Sequence, residues 1–136
     1  MIITDITMID RLAEEAIAAK NEFVSIDMGD YLRIKECSAS LAAVKVTLPE
    51  LSESTIEVLR QPLEEMCQGG ECNILMHVGG KDILAGKMAI SYEQMQMLMQ
   101  LVEASASHRA SIIWSMGELN TSEEGITILI IVGKGK

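Results

Sequence analysis

Gly125-Ile-Thr-Ile-Leu-Ile-Ile-Val-Gly133 holds the longest apolar run in the chain, and its reading decides the fold. The run from Ile126 to Val132 is too short to span a bilayer. Written as a strand, it is apolar on both faces. Such a strand belongs inside a sheet with helices packed over it.

Working backwards, residues 117–125 read as a polar turn carrying Glu118, Glu123 and Glu124, and Ser111 to Met116 reads as a strand. The short connection predicts an antiparallel pairing of these last two strands. Ser91-Tyr-Glu-Gln94 is a capping box, in which a Ser hydroxyl and a Gln side chain each satisfy a free backbone N–H. Met95, Leu98, Met99 and Val102 come next at helical spacing, to about Ala106. Asn73 to Val78 alternates Ile74, Met76 and Val78 on one strand face, and Gly79-Gly80 is expected to end it. Strand, helix and strand in this order predict a parallel pair with a right-handed crossover.

The first half carries the same signals. Ile6, Ile9, Leu12, Ala13, Ala16 and Ile17 mark one apolar face of a helix within Thr4 to Lys20, with Asp10, Glu14 and Glu15 on the wet side. Thr7 with Asp10 forms a weak capping box. Asp27 is a good N-cap for a second helix over Met28 to Glu36. Cys37-Ser-Ala-Ser40 is turn-like, Leu41 to Thr47 reads as a strand, and Pro49 stops it because proline cannot donate into a ladder. Ser54-Thr-Ile-Glu57 matches a capping box for a helix that Pro62 is expected to end near Gln61. These elements imply an α+β fold class: a two-layer sandwich with a mixed, mostly parallel sheet of about four strands packed by helices.

Composition narrows the function. The chain has 136 residues, which suits one domain spanning 1–136. With one Trp, two Tyr and one Phe, the core must come from aliphatic residues and the ten Met. A net charge of -9 with scattered basic residues argues against nucleic acid, whose phosphates need clustered Lys and Arg. No basic region leading into an apolar stretch marks a leader, and three Cys are an odd count, so a cytoplasmic protein with free thiols is expected.

Asp27 and Asp30 are the best candidate functional residues. Three apart at a helix start, their carboxylates can point the same way and polarise a water beside a phosphorus atom. They have a plainer reading too, as a capping carboxylate and a first-turn acid that complements the helix dipole. Cys67 and Cys72 offer two sulfurs where zinc takes about four ligands, so no metal is expected. His77 in an apolar strand reads as a satisfied core residue. His108-Arg109 reads as a solvated turn, and Lys81 and Asp82 as caps of the next segment. No Ser or Cys sits in a recognisable set with a base and a supporting acid.

Several segments, taken in order, resemble the second, C-terminal domain of the tubulin/FtsZ family. Asn73-Ile-Leu-Met-His-Val-Gly79-Gly80-Lys-Asp82-Ile-Leu84 looks like the FtsZ strand that ends in a Gly-Gly turn before an Asp-Leu pair. Ala110-Ser-Ile-Ile-Trp-Ser-Met-Gly117 and Gly125 to Gly133 are similar to its next and final strands, and Gln61-Pro62-Leu63 to the Ser-Pro-Leu end of a helix. Ser25-Ile-Asp27-Met-Gly-Asp30 resembles the synergy loop, an Asn-x-Asp-x-x-Asp stretch. Residues 1–24 would then be the end of the core helix and its connection, and 25–136 the domain core.

The resemblance implies a stand-alone second domain without the GTP-binding domain, related to cell division and the cytoskeleton. It implies that Asp27 and Asp30 act in trans on a neighbour's nucleotide, and that Ser25, Asp27, Met28 and Asp30 meet that partner. Ser25 stands where the family has Asn, which weakens one polar contact. No Gly-Gly-Gly-Thr-Gly-Thr-Gly phosphate loop occurs, so these residues alone are expected neither to bind nor to hydrolyse GTP, and no cofactor is expected. The expected function is an interaction module that docks on the nucleotide face of a full-length FtsZ-type GTPase and caps or modulates its polymer. The alternative is a self-associating α+β domain, a homo-oligomer with a ligand-binding or enzymatic cleft between subunits. Neither reading involves a membrane.

Overall fold

The last strand, apolar on both faces, lies inside the sheet, as its sequence requires. The computed structural model describes residues 1–21, 26–68, 70–81, 90–106, 110–119 and 124–135, with the backbone alone for Lys20 and Asn21. In chain order these form α1 (Ile6–Ala18), β1 (Lys20–Asn21), α2 (Met28–Cys37), β2 (Ser38–Leu48) and α3 (Glu53–Ile56). A 3-10 turn (Glu57–Leu59) leads into α4 (Arg60–Met66), and then come β3 (Cys72–Gly80), α5 (Tyr92–Ser105), β4 (Ala110–Glu118) and β5 (Ile126–Gly135). The sheet order is β1-β4-β3-β5-β2, with the two-residue β1 added to four main strands.

This is the expected α+β fold with a mixed sheet packed by helices. β3 pairs parallel with β4, and β1–β4, β3–β5 and β2–β5 pair antiparallel. β2 and β3 both run against β5, so β2, β3 and β4 share one direction and three of the four main strands are parallel in sense, as expected. Helices connect β2 to β3 and β3 to β4, the form that returns a strand in the same direction. Two details differ. The last two strands do not pair with each other. β5 inserts between β3 and β2, because a strand buried from Ile126 through Gly133 needs neighbours on both edges. β4, half-buried along its first half, stays further out.

The sheet is also covered on both faces, giving three layers rather than two. Side chains alternate across β5. Ile128, Ile130 and Val132 join Ile74, Met76 and Val78 against Leu59, Leu63, Leu98 and Val102 of the α3–α5 side. Leu129 and Ile131 join Leu75 and Ala43 against Ile9, Ala13, Tyr31 and Ile34 of α1 and α2. Met95 is buried and Met97 and Met99 pack on the first core, so this group is core filler as expected.

Local chemistry moves several boundaries. The N-cap of α1 is Asp5, which accepts from the Thr7 and Met8 N–H groups, rather than Thr7. Ser52, not Ser54, caps α3, paired with Thr55. Pro62 does not end its helix. The 3-10 turn restarts the helix at Arg60, so Pro62 falls in the first turn, where its missing N–H costs nothing. β2 begins at Ser38, inside the expected turn, with a register shift between Ser38 and Ser40. β3 runs through Gly79 and Gly80, which pair with Gly117 and Glu118. Gly125 has φ of 103°, and a Cβ there would lie 2.6 Å from the Leu48 carbonyl oxygen, so the entry to β5 needs glycine.

Candidate functional site

The start of α2 is where the two candidate carboxylates meet. Asp27 has extended backbone and caps the helix. Its Oδ1 accepts the Asp30 N–H at 2.9 Å, and Asp30 Oδ2 accepts the Asp27 N–H at 3.0 Å. The pair is therefore a reciprocal capping box, and the plainer reading of these residues holds. Each carboxylate spends one oxygen on the cap and keeps the other for a further partner. Asp27 is exposed and Asp30 half-buried at the surface, next to the buried Ile26. Met28 is half-buried and packs on the α1–α2 core, so its side chain is committed largely inward. Ser25 lies outside the described residues.

What holds this turn in place comes from α1. The Tyr31 hydroxyl donates to Asp10 Oδ1, and Lys35 Nζ donates to the same carboxylate at 3.0 and 3.2 Å. Tyr31 and Lys35 lie one helical turn apart on α2, so one carboxylate grips that face twice. The Tyr31 hydrogen bond, with help from Lys35, holds the Asp10 carboxyl below its ordinary range. Burial first, and then the Asp10 carboxylate, pushes the Tyr31 phenol up. Asp10 thus stays on the wet face of α1, about a third exposed, and binds α2 rather than forming part of a Thr7 cap. At the other end, α2 comes close to β5. A Cβ on Gly133 would collide with Ser38 Oγ and reach 2.8 Å from Ile34 Cγ2. The positioning set of Asp10, Tyr31 and Lys35 escaped the sequence reading. Its partners are 21 and 25 residues apart, and only the Tyr31–Lys35 spacing hinted at a shared face.

The remaining candidates divide. Cys67 and Cys72 are buried and free, with sulfurs 3.1 Å apart, and Cys37 is exposed. Among the described residues, no three His, Cys, Asp or Glu side chains are grouped to hold a metal ion. His77 is buried, and among the described residues its Nε2 has no hydrogen-bond partner, nor does Oγ of Ser115, its register partner on β4. Burial pushes the His77 pKa down to about 4, which keeps the ring neutral. Lys81 pairs with Glu124 at 3.3 Å, and the segment it was expected to cap lies outside the described residues. Asp82 and His108-Arg109 lie outside the described residues. Among the described residues, no helix is long and apolar enough to cross a membrane.

No protein-family model and no curated protein matches this sequence. Solved structures do resemble it. A tryptophan-to-tyrosine mutant of FtsZ from M. jannaschii superposes with a TM-score of 0.58 at 16% identity, over 98% of this chain and 42% of that one. Thiamine monophosphate kinase from Aquifex aeolicus gives a TM-score of 0.41 at 11% identity, over 96% of this chain and 41% of that one. The FtsZ likeness shows an FtsZ C-terminal-domain-like fold. This chain spans about two fifths of the FtsZ chain it matches.

Proposed function

We propose that this chain is an FtsZ-like interaction module. In this reading the Asp27–Asp30 turn docks on the nucleotide face of an FtsZ-type GTPase and changes its polymerisation or GTP turnover. The observation that carries the proposal is the reciprocal capping box on an FtsZ-like fold. It presents two carboxylates from one rigid turn, each with an oxygen to spare. A filament grows head to tail only if each subunit offers two complementary faces. These 136 residues carry no phosphate loop, so by themselves they supply one face and would cap the polymer.

The test adds substoichiometric chain to an FtsZ-type GTPase and tracks sedimented polymer and GTP hydrolysis. Polymer mass should fall. Asp27→Asn and Asp30→Asn keep a capping oxygen while removing the charge, so both should lose the effect without unfolding. Unchanged polymer mass, together with hydrolysis curves identical for wild type and variants, would sink the proposal.

A further inference from the structure

We propose that Cys67 and Cys72 form an oxidisable dithiol, which a peroxide converts to an intramolecular disulfide joining the end of α4 to the first residue of β3. This does not rest on the docking proposal. Cys67 is the C-cap of α4 and Cys72 opens β3. Their sulfurs are already 3.1 Å apart, each residue only 3% exposed. A disulfide needs an S–S separation of about 2.05 Å, so closure asks for roughly 1 Å of movement, within reach of small side-chain rotations. The fold has thus already brought the two ends of the connection together.

The chemistry balances without a metal. A Cys thiolate attacks one peroxide oxygen, the O–O bond breaks, and a sulfenic acid forms as the released hydroxide takes up a proton. The second thiolate then attacks the sulfenic sulfur, and the oxygen leaves as water. Two thiols lose two electrons and two protons, and one hydrogen peroxide becomes two waters. The thiolate is the reactive form. Burial, and then the contact with the Cys72 sulfur, push the Cys67 thiol up to about 12. The nearby Lys134, register partner of Cys72, favours the thiolate but does not outweigh burial. The closed corner therefore protects the pair, and exposed Cys37 reacts first.

The corner lies away from the candidate docking turn. The Gly135 N–H donates to the Glu71 carbonyl at 3.2 Å, and Gly135 pairs with Ser38, the residue after α2. The dithiol thus neighbours the C-terminal end of α2. Asp27 caps the opposite end, about 15 Å away along the helix. Oxidation should leave the Asp27–Asp30 turn as it is.

The Cys37→Ser chain decides the matter, since it removes the surface thiol. After excess hydrogen peroxide, quenching and alkylation in denaturant, it should lose both remaining thiols, and about 2 Da apart from any oxygen added to Met. The loss should map to the tryptic peptide Gln61–Lys81, which holds both cysteines, and dithiothreitol should reverse it. The oxidised chain should melt a few degrees higher, because a link across a short connection constrains the unfolded chain modestly. Cys67→Ser in that background should abolish the mass loss. Two thiols that still alkylate, a gain of oxygen on either cysteine rather than a loss of hydrogen, or a linked dimer would overturn the proposal; oxygen gained on Met, including Met66 and Met76 of the same peptide, is localised by fragmentation and not counted. If Cys67→Ser does not fold, the Cys37→Ser result alone still decides.

Discussion

His77 is buried to 2% exposure, and among the described residues Nε2 has no partner, nor has the hydroxyl of Ser115, its register partner. Such a ring costs stability whenever the unfolded chain can protonate and the folded chain cannot. Its folded pKa of about 4 lies below the ordinary 6.5. Above pH 6.5 both states are neutral, and the residue adds no pH dependence. Between 6.5 and 4 the unfolded state binds the extra proton, so stability falls as pH falls. The total loss is on the order of 3 kcal/mol at most, and it levels off below pH 4. Asp10 works in a lower window. Its carboxyl is held below 3.8, so its contribution is present above that value and is lost as pH drops through the folded one. Melting temperature against pH, for wild type and His77→Leu, separates the two. The variant should be flat from pH 7 to 5 where the wild type slopes, and parallel curves would refute the assignment. Alternation in the strand placed His77 on a sheet face. It did not show that the ring would lack a partner among the described residues, because that depends on side chains the strand meets from distant parts of the chain.

Capping boxes show which elements could be read in advance. Of the three capping boxes among the described residues, the caps at Asp27 and at Ser91 with Gln94 were read where they lie, and the one at Ser52 with Thr55 was placed two residues late. The cap was placed at Ser54 because Ser54 with Glu57 fits the Ser-x-x-Glu pattern, whereas the actual box closes Ser52 on a Thr, Thr55. Pro62 was misread because the 3-10 turn over Glu57–Leu59 splits what looks like one periodic helix into two. The α2 cap gives a direct test of its structural share. Asp27→Ala should destabilise the chain by about 1 kcal/mol, and Asp27→Asn by only a few tenths, since Asn also accepts from the N3 N–H. Urea unfolding monitored by circular dichroism measures both. Equal losses for the two variants would mean that charge at the helix start, rather than the hydrogen bond, supplies the stability. This scale also separates the two roles of Asp27: Asn restores the cap, and only the charge is left to explain any change in docking.

At the scale of the molecule, strand content and the apolar centre of the sheet were readable, and strand order was not. The doubly apolar β5 had to be enclosed, but several orders enclose it. The choice depends on pairings such as Val44 with Ile130 and Met76 with Ile130, which join distant parts of the chain. The chosen order leaves β2 at one edge of the sheet. The outer side of this eleven-residue strand is met by the N-terminal segment at one point. There the Ile3 N–H donates to the Ala43 carbonyl at 2.7 Å, and the Ala43 N–H returns a bond to Ile3 at 2.8 Å. Unpaired strand edges template pairing with other chains, and charged residues or covering segments blunt them. On β2, Lys45 is the charged residue, held by Glu15 at 3.8 Å, which leaves Ile3 as the main cover. Deleting residues 1–4 should therefore free the edge and promote self-association. The net charge of -9 opposes contact between copies at low salt, so association should strengthen as salt screens that repulsion. Light scattering of the truncated and full chains across a salt series is the measurement. A truncated chain that stays monomeric at high salt would show that the β2 edge is protected by something other than Ile3.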